Sequence, residues 1–154
     1  DLQNVEYLRQ TMPDAEFCFT ALTDELYLSE NRPDMVYHGG KSDELEGAFG
    51  LVWAGMNGRT VTGASGAYMM LTSPRQMSRY IAQGMPVIVW KWSALADFVQ
   101  ENHLGLVVET IGEIPGRVAA LTAEEYSVMA ASARAWGEKL RKGDMTRAAL
   151  DNLT

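Results

Sequence analysis

The chain has 154 residues, of which 47% are apolar, enough for one globular domain of ordinary size. Its net charge of −7 argues against a nucleic-acid-binding protein, which needs a basic surface. The single cysteine, Cys18, cannot form an internal disulfide, and no apolar run reaches the roughly 18 residues of a membrane span. No signal peptide is recognisable. We therefore expect one cytoplasmic domain over residues 1–154 and, because it starts at Asp1 rather than Met, a domain excised from a longer chain.

The first third of the chain alternates between short helical and extended patterns. Residues 5–10 read as the end of a helix, and residues 15–22 and 34–39 as strands. Ser42 is expected to cap a brief helix before an apolar run at residues 48–55. Residues 56–66, rich in Gly, Ser and Thr, are predicted to form a flexible loop.

The pattern is clearer from Ser73 onward. Ser73, Pro74 and Gln76 predict a helix start, with a side-chain cap, a proline at the first helical position and a glutamine at the third. Gly84 is expected to end this helix. The apolar run at residues 86–90 then predicts a strand that is buried on both faces.

Two further strand–helix steps follow. Ser93 is expected to cap a helix that Gly105 ends, and residues 106–108 form the next strand, so that both apolar strands are central in the sheet. Thr122 and Glu125 form a capping box for a long helix, and a last helix covers residues 144–153. Strands that alternate with helices predict an α/β fold: a Rossmann-like three-layer α/β/α domain with a parallel sheet.

In such sheets ligands bind beyond the carboxyl ends of the strands. The residues after Val89 and Trp90, and the loop before Ser73, are therefore expected to line a ligand crevice. The first turn of a helix carries unpaired amides and a partial positive charge, so the helix start at Ser73 is a candidate anion site, with Arg75 beside it. The same residues also fit an ordinary capped helix with a solvated Arg75.

Other candidate residues are weaker. His38 follows a predicted strand and fits either a base or a plain surface histidine, whereas His103 fits a helix C-terminal cap. The glycine-rich loop is neither a Rossmann fingerprint nor a P-loop, and no metal-ligand spacing or Ser-His-Asp order is present. The tryptophans are mostly core candidates, although Trp53 and Trp90 end predicted strands and could also wall a sugar or base pocket.

The run SPRQMSRYIAQGMPVIVWKWSALADFVQENHLGLVV, residues 73–108, resembles the C-terminal domain of a bacterial GT-B glycosyltransferase group. This group includes galactofuranosyltransferase-like proteins and the glucosyltransferases that modify serine-rich adhesins. Its pattern is a Pro-His-Lys helix start and a Tyr, followed by Gly-x-Pro-Val-Ile-Val-Trp and Ala-Leu-Ala-Asp/Glu-Phe-Val. The resemblance extends over residues 49–150 and includes FGLVW at residues 49–53.

The resemblance implies the C-terminal, donor-binding half of a glycosyltransferase that transfers a hexose from a nucleotide sugar, in particular a UDP-sugar, to a glycan or glycoprotein. It implies no metal or other cofactor, because helix dipoles and basic side chains offset the leaving-group charge in GT-B enzymes. The implied partners are the N-terminal GT-B domain and the acceptor, with a homo-oligomer as a further possibility. The implied donor-binding residues are Trp53, Tyr68, Ser73, Pro74, Arg75, Gln76 and Tyr80.

One position departs from the group's pattern. Gln76 stands where the group has the lysine that meets the diphosphate, and Arg75, one position earlier, is the candidate substitute. An alternative hypothesis is therefore a degenerate, non-catalytic domain that is retained for assembly with a partner enzyme. A receiver or flavodoxin-like binder is not favoured, because the chain lacks the acidic cluster or flavin loop that such proteins need.

Overall fold

Short parallel strands and helices make up the described part of the chain. The computed structural model describes residues 2–16, 18–19, 36–37, 45, 47–54, 61, 63–73 and 75–151. The described strands are β1 (Cys18–Phe19), β2 (Val36–Tyr37), β3 (Gly50–Val52), β4 (Val87–Trp90) and β5 (Gly105–Val108). The described helices are α1 (Leu2–Thr11), α2 (Gly63–Leu71), α3 (Arg75–Ala82), α4 (Ala96–Glu101), α5 (Ile114–Ala119), α6 (Ala123–Lys142) and α7 (Asp144–Asp151), with a 3₁₀ helix at Ile111–Glu113.

The larger described sheet is parallel, in the order β3-β4-β5. Its register places Val87 of β4 between Gly50 of β3 and Gly105 of β5. β1 and β2 form a separate parallel pair. Parallel strands joined through helices confirm the predicted α/β, Rossmann-like domain.

The core lies on both faces of this sheet. Val87 and Val89 belong to one apolar cluster and Ile88 to the other, because successive side chains of a strand point to opposite faces. Full burial of each such side chain stabilises the fold by about 1.5–3 kcal/mol. The cluster of Val87 also takes residues from α3, α4 and α6 (Met77, Ile81, Val99 and Ala133), whereas that of Ile88 takes residues from α1, the 3₁₀ helix and α5 (Leu8, Ile111 and Ile114).

Gly105 lets β5 approach β4. A Cβ built on this glycine would overlap the backbone carbonyl of Val87, which cannot move without opening the ladder. A larger residue at position 105 would therefore separate the two strands.

The long helix α6 packs against α3 and reaches the segment just before β3. It begins at the predicted capping box, where the Thr122 side chain accepts a hydrogen bond from the Glu125 amide, and it ends at Gly143 in the left-handed conformation (φ 71°). Near its start, the Tyr126 hydroxyl donates to the Ala48 carbonyl at 3.1 Å, just before β3. The helix thus ties the amino end of the sheet to the helical layer. None of the helices within the described ranges combines the length and apolarity needed to cross a membrane.

The helices α3 and α4 end in the same hydrogen-bonded motif, with a left-handed residue after the last turn. Gly84 (φ 75°) ends α3 as predicted: its amide donates to the Ile81 carbonyl, and the Met85 amide to the Tyr80 carbonyl, which is a Schellman motif. The same pair of bonds ends α4, but the left-handed residue there is His103 (φ 52°), so the prediction that Gly105 ends this helix is wrong.

Three other predictions need correction. The predicted loop at residues 56–66 gives way to α2 from Gly63, because this segment continues into a helix that buries Met69. Ser93 does not cap α4: the helix begins at Ala96, and its N-cap Leu95 makes no side-chain capping bond. The second apolar strand, β5, lies at one end of the described order β3-β4-β5 rather than in its centre. The predictions for His38 and Ser42 lie outside the described residues.

Candidate functional site

The carboxyl end of β4 leads directly into the turn Lys91–Ser93. The Ser93 amide donates to the Trp90 carbonyl at 3.0 Å, which closes the turn. The next amide, of Ala94, donates to the Met69 carbonyl of α2, also at 3.0 Å. These two bonds fix the chain after β4 against the end of α2, at the edge where ligands bind in parallel α/β sheets.

The Ser93 hydroxyl is the unusual group of this turn. Ser93 is only 8% exposed, and within the described part of the chain its Oγ has no hydrogen-bond partner. A buried hydroxyl without a partner destabilises a protein by about 1–3 kcal/mol, so each such group calls for an explanation. A ligand or a bound water at this edge would supply the missing partner.

The start of α3 lies at the same edge. α3 immediately precedes β4 and runs antiparallel to it, so its first turn points to the carboxyl end of β4 and its last turn to the amino end. Ser73, Arg75 and Gln76 are all exposed there, while Pro74 lies outside the described residues. The first turn contains no acidic residue that would neutralise its amides or Arg75.

Tyr80 occupies the other end of the same helix. Its ring lies against Gly50, at the amino end of β3, where a Cβ would overlap the ring. Burial raises the pKa of the Tyr80 hydroxyl, and the nearby Arg79 guanidinium partly counteracts that rise, so the phenol stays neutral. Tyr80 lies five positions after Arg75, or about 7.5 Å along the helix axis. The structure therefore places Tyr80 away from the exposed start of α3.

The remaining predicted donor-binding residues lie on neighbouring elements. Trp53 follows β3 at its carboxyl end and is half-buried, with contacts to both core clusters. Tyr68 lies on α2 and is 58% exposed. Trp90, which ends β4, is buried in the core as its apolar strand predicted.

Large apolar side chains are exposed around this edge. α2 exposes Tyr68, Met70 and Leu71, the last at 83%, and Trp92 in the turn after β4 is 52% exposed. Lys91 Nζ lies 5.0 Å from the centre of the Trp92 ring, a cation–π distance. We call these four apolar residues the α2–Trp92 patch. Exposed apolar patches on soluble proteins mark interaction or ligand surfaces.

Ser93 is the residue of this edge that the sequence analysis assigns differently. The sequence predicts a helix cap, whereas the helix begins at Ala96 and the Ser93 hydroxyl has no partner among the described residues. The signal in the sequence is its position in the turn that follows a buried strand. Across the described ranges, no group of three or more His, Cys, Asp or Glu side chains is arranged to hold a metal ion.

Comparison with known proteins gives this edge a context. Residues 3–153 match the sequence profile of the Glucosyltransferase 3-like, C-terminal domain family. Over 105 residues the chain is 33% identical to the beta-1,6-galactofuranosyltransferase WbbI of Escherichia coli (strain K12). This alignment covers 68% of this chain and 32% of that protein. Over 102 residues it is 30% identical to Glucosyltransferase 3 of Streptococcus parasanguinis. That alignment covers 66% of this chain and 29% of the relative. The chain thus matches only about a third of the length of each of these glycosyltransferases.

Proposed function

Because the chain belongs to the Glucosyltransferase 3-like, C-terminal domain family, we propose that it is the donor-binding domain of a glycosyltransferase. The donor in this proposal is a nucleotide sugar, in particular a UDP-sugar, and the transferred group is a hexose. The names of the two relatives, a galactofuranosyltransferase and a glucosyltransferase, support hexosyl transfer. The observation that carries the proposal is the pairing, at one sheet edge, of an exposed helix start with a buried hydroxyl that lacks a partner.

In this proposal the diphosphate binds at the start of α3. The free amides of the first turn donate to phosphate oxygens, and the Arg75 guanidinium adds a charge-assisted hydrogen bond. The Ser93 hydroxyl donates to the bound donor and so gains the partner that it lacks within the described residues. Helix amides and Arg75 together offset the charge of the leaving nucleotide, so the proposed mechanism requires no metal or other cofactor.

The α2–Trp92 patch fits the second half of such an enzyme. Tyr68, Leu71 and Trp92 present apolar surface beside the proposed donor site, where a second domain would close over it. The relatives are about three times as long as the aligned region, which leaves room for such a domain in them. We propose that an N-terminal GT-B domain covers this patch and brings the glycan or glycoprotein acceptor.

A second function is supported by one residue. Gln76 stands at the exposed start of α3 without the positive charge of a lysine. If Arg75 does not replace that charge, the domain would not hold a diphosphate and would serve as a non-catalytic assembly module.

Calorimetry with UDP and UDP-glucose separates the two functions. The proposed donor site predicts micromolar binding that weakens about 10- to 100-fold in Arg75→Ala, the range expected for loss of a hydrogen bond from a charged group. Arg147→Ala removes the same charge from α7, where Arg147 pairs with Asp144, and is expected to leave the affinity unchanged. Absence of heat with the full-length protein, or equal losses in both variants, would favour the assembly module.

A further inference from the structure

α2 has one buried side chain among its described residues, that of Met69. Met69 is 1% exposed and belongs to the same apolar cluster as Trp90, the last residue of β4. Its neighbours Tyr68, Met70 and Leu71 are all exposed, and no other described helix or strand packs extensively against α2. A buried methionine side chain makes many dispersion contacts, so Met69 is the anchor that holds this helix to the core.

The backbone of Met69 makes a second connection. α2 ends at Leu71, so the Met69 carbonyl is one of the last four carbonyls of the helix, which have no partner within it. It accepts instead from the Ala94 amide at 3.0 Å. Within the described residues, this is the one backbone hydrogen bond that joins α2 to another element or turn. Ala94 follows Ser93 directly, so the bond holds the turn that carries the buried hydroxyl.

The chain after α2 leads to the other part of the proposed donor site. Ser73 comes four residues after Met69, and α3 begins at Arg75. The start of α3 and the turn of Ser93 are thus both attached to Met69. The first is attached along the chain, and the second through the Ala94 amide.

We propose that Met69 is a positioning residue of the donor site: its side chain fixes α2 in the core, and α2 sets the distance between the start of α3 and the turn of Ser93. This inference rests on the proposed function, in which the diphosphate binds at the start of α3 and the Ser93 hydroxyl donates to the same donor molecule. A ligand that bridges two segments binds more tightly when the distance between them is already correct, because ordering them on binding costs free energy.

Met69→Ala removes the anchor, whereas Met69→Leu keeps most of its volume. Calorimetry of the full-length protein with UDP-glucose is expected to show at least about tenfold weaker binding for Met69→Ala, and binding within about threefold of the native affinity for Met69→Leu. The matched control is Leu104→Ala, because Leu104 is equally buried in the same apolar cluster but lies at the amino end of β5. This control is expected to lower the melting temperature as Met69→Ala does, and to leave the affinity within about twofold.

Ala94→Pro tests the backbone connection even if Met69→Ala does not fold. Ala94 is exposed, so proline removes the amide donor without opening the core, and the conservative variant Ala94→Ser keeps that donor. Ala94→Pro is expected to weaken UDP-glucose binding about tenfold, and Ala94→Ser to stay within about threefold of the native affinity. In the double variant of Met69→Ala and Ala94→Pro the two losses should not add, because both substitutions break the same attachment.

Three results would each overturn this role of Met69 and leave the donor site itself in place. They are native affinity in a folded Met69→Ala or Ala94→Pro, an equal loss of affinity in Leu104→Ala, and additive losses in the double variant. A native protein that does not bind UDP-glucose would overturn the proposed function and this inference together.

Discussion

Ser93→Ala is the most informative single change in the proposed donor site. In the absence of a donor, the Ser93 hydroxyl is buried and has no partner among the described residues, which costs about 1–3 kcal/mol of folding free energy. Alanine keeps the Cβ and removes the hydroxyl. We expect the ligand-free variant to be more stable by about 1 kcal/mol, which raises the melting temperature by about 2–4 °C for a domain of this size.

The same substitution is expected to act in the opposite direction on donor binding. If the hydroxyl donates to the bound nucleotide sugar, its loss weakens binding by about 1 kcal/mol, or about fivefold, and reduces the stabilisation by saturating UDP-sugar. Thermal unfolding with and without UDP-glucose measures both effects. Ser127→Ala, at an exposed position of α6, is the control and should change stability only by its helix propensity, by about 0.5 kcal/mol, with no effect on the ligand response.

Two results would refute this reasoning. A ligand-free Ser93→Ala that is less stable than the native chain would mean that the hydroxyl is already hydrogen-bonded. A variant that is more stable but responds fully to UDP-glucose would mean that the lone hydroxyl has no part in donor binding.

Three further predictions concern the scaffold. Gly137→Ala should lower the free energy of unfolding by about 1–3 kcal/mol, because a Cβ there would overlap a backbone carbonyl of α3. Gly116→Ala, whose Cβ would meet nothing within 4 Å, should instead raise the free energy of unfolding by up to about 1 kcal/mol. Equal effects of the two substitutions in urea unfolding would disprove the close approach of α6 to α3. His103→Gly should raise the melting temperature by about 2–4 °C, because glycine adopts the left-handed backbone conformation of this position without strain. A melting temperature below that of the native chain would show that the imidazole stabilises this helix end. Hydrogen bonds from the Thr122 backbone and side chain lower the pKa of Glu125 below its ordinary 4.5, so their stabilisation is present above that pH and is lost as pH falls through the lowered pKa. Glu125→Gln should therefore show a smaller loss of stability than the native chain in acid unfolding below about pH 4.5, and parallel curves would contradict this assignment.

Local signals in the sequence were sufficient where one short stretch determines the outcome. The apolar run of β4 predicted burial on both faces, and Thr122 with Glu125 predicted the start of α6, because both depend on residues within a few positions. Ser93 shows where such signals fail. A serine before a helix resembles a cap, but the turn closed on Trp90 delays the helix to Ala96 and leaves the hydroxyl buried.

The position of a strand within a sheet is a non-local property. The residues of β5 are as apolar as those of a central strand, since Leu106 and Val108 are both buried, and the sequence gives no sign that its other side faces a groove. Likewise, Tyr80 belongs to the group's pattern, and only the structure shows that its ring packs against Gly50, at the amino end of β3. Both outcomes depend on which elements meet in three dimensions, which spacing along one chain does not specify.

The position of α6 divides the domain into two parts with different expected mobility. This helix holds the amino end of the sheet through Tyr126 and closely approaches α3 at Gly137, so amides there should exchange with solvent only when the whole domain unfolds. The turn from Lys91 to Ser93, at the opposite end of the sheet, is held by single backbone hydrogen bonds and exposes Lys91 and Trp92, so its amides are expected to exchange by local opening. The carboxyl end of the sheet can therefore change its shape locally while the amino end keeps the domain folded.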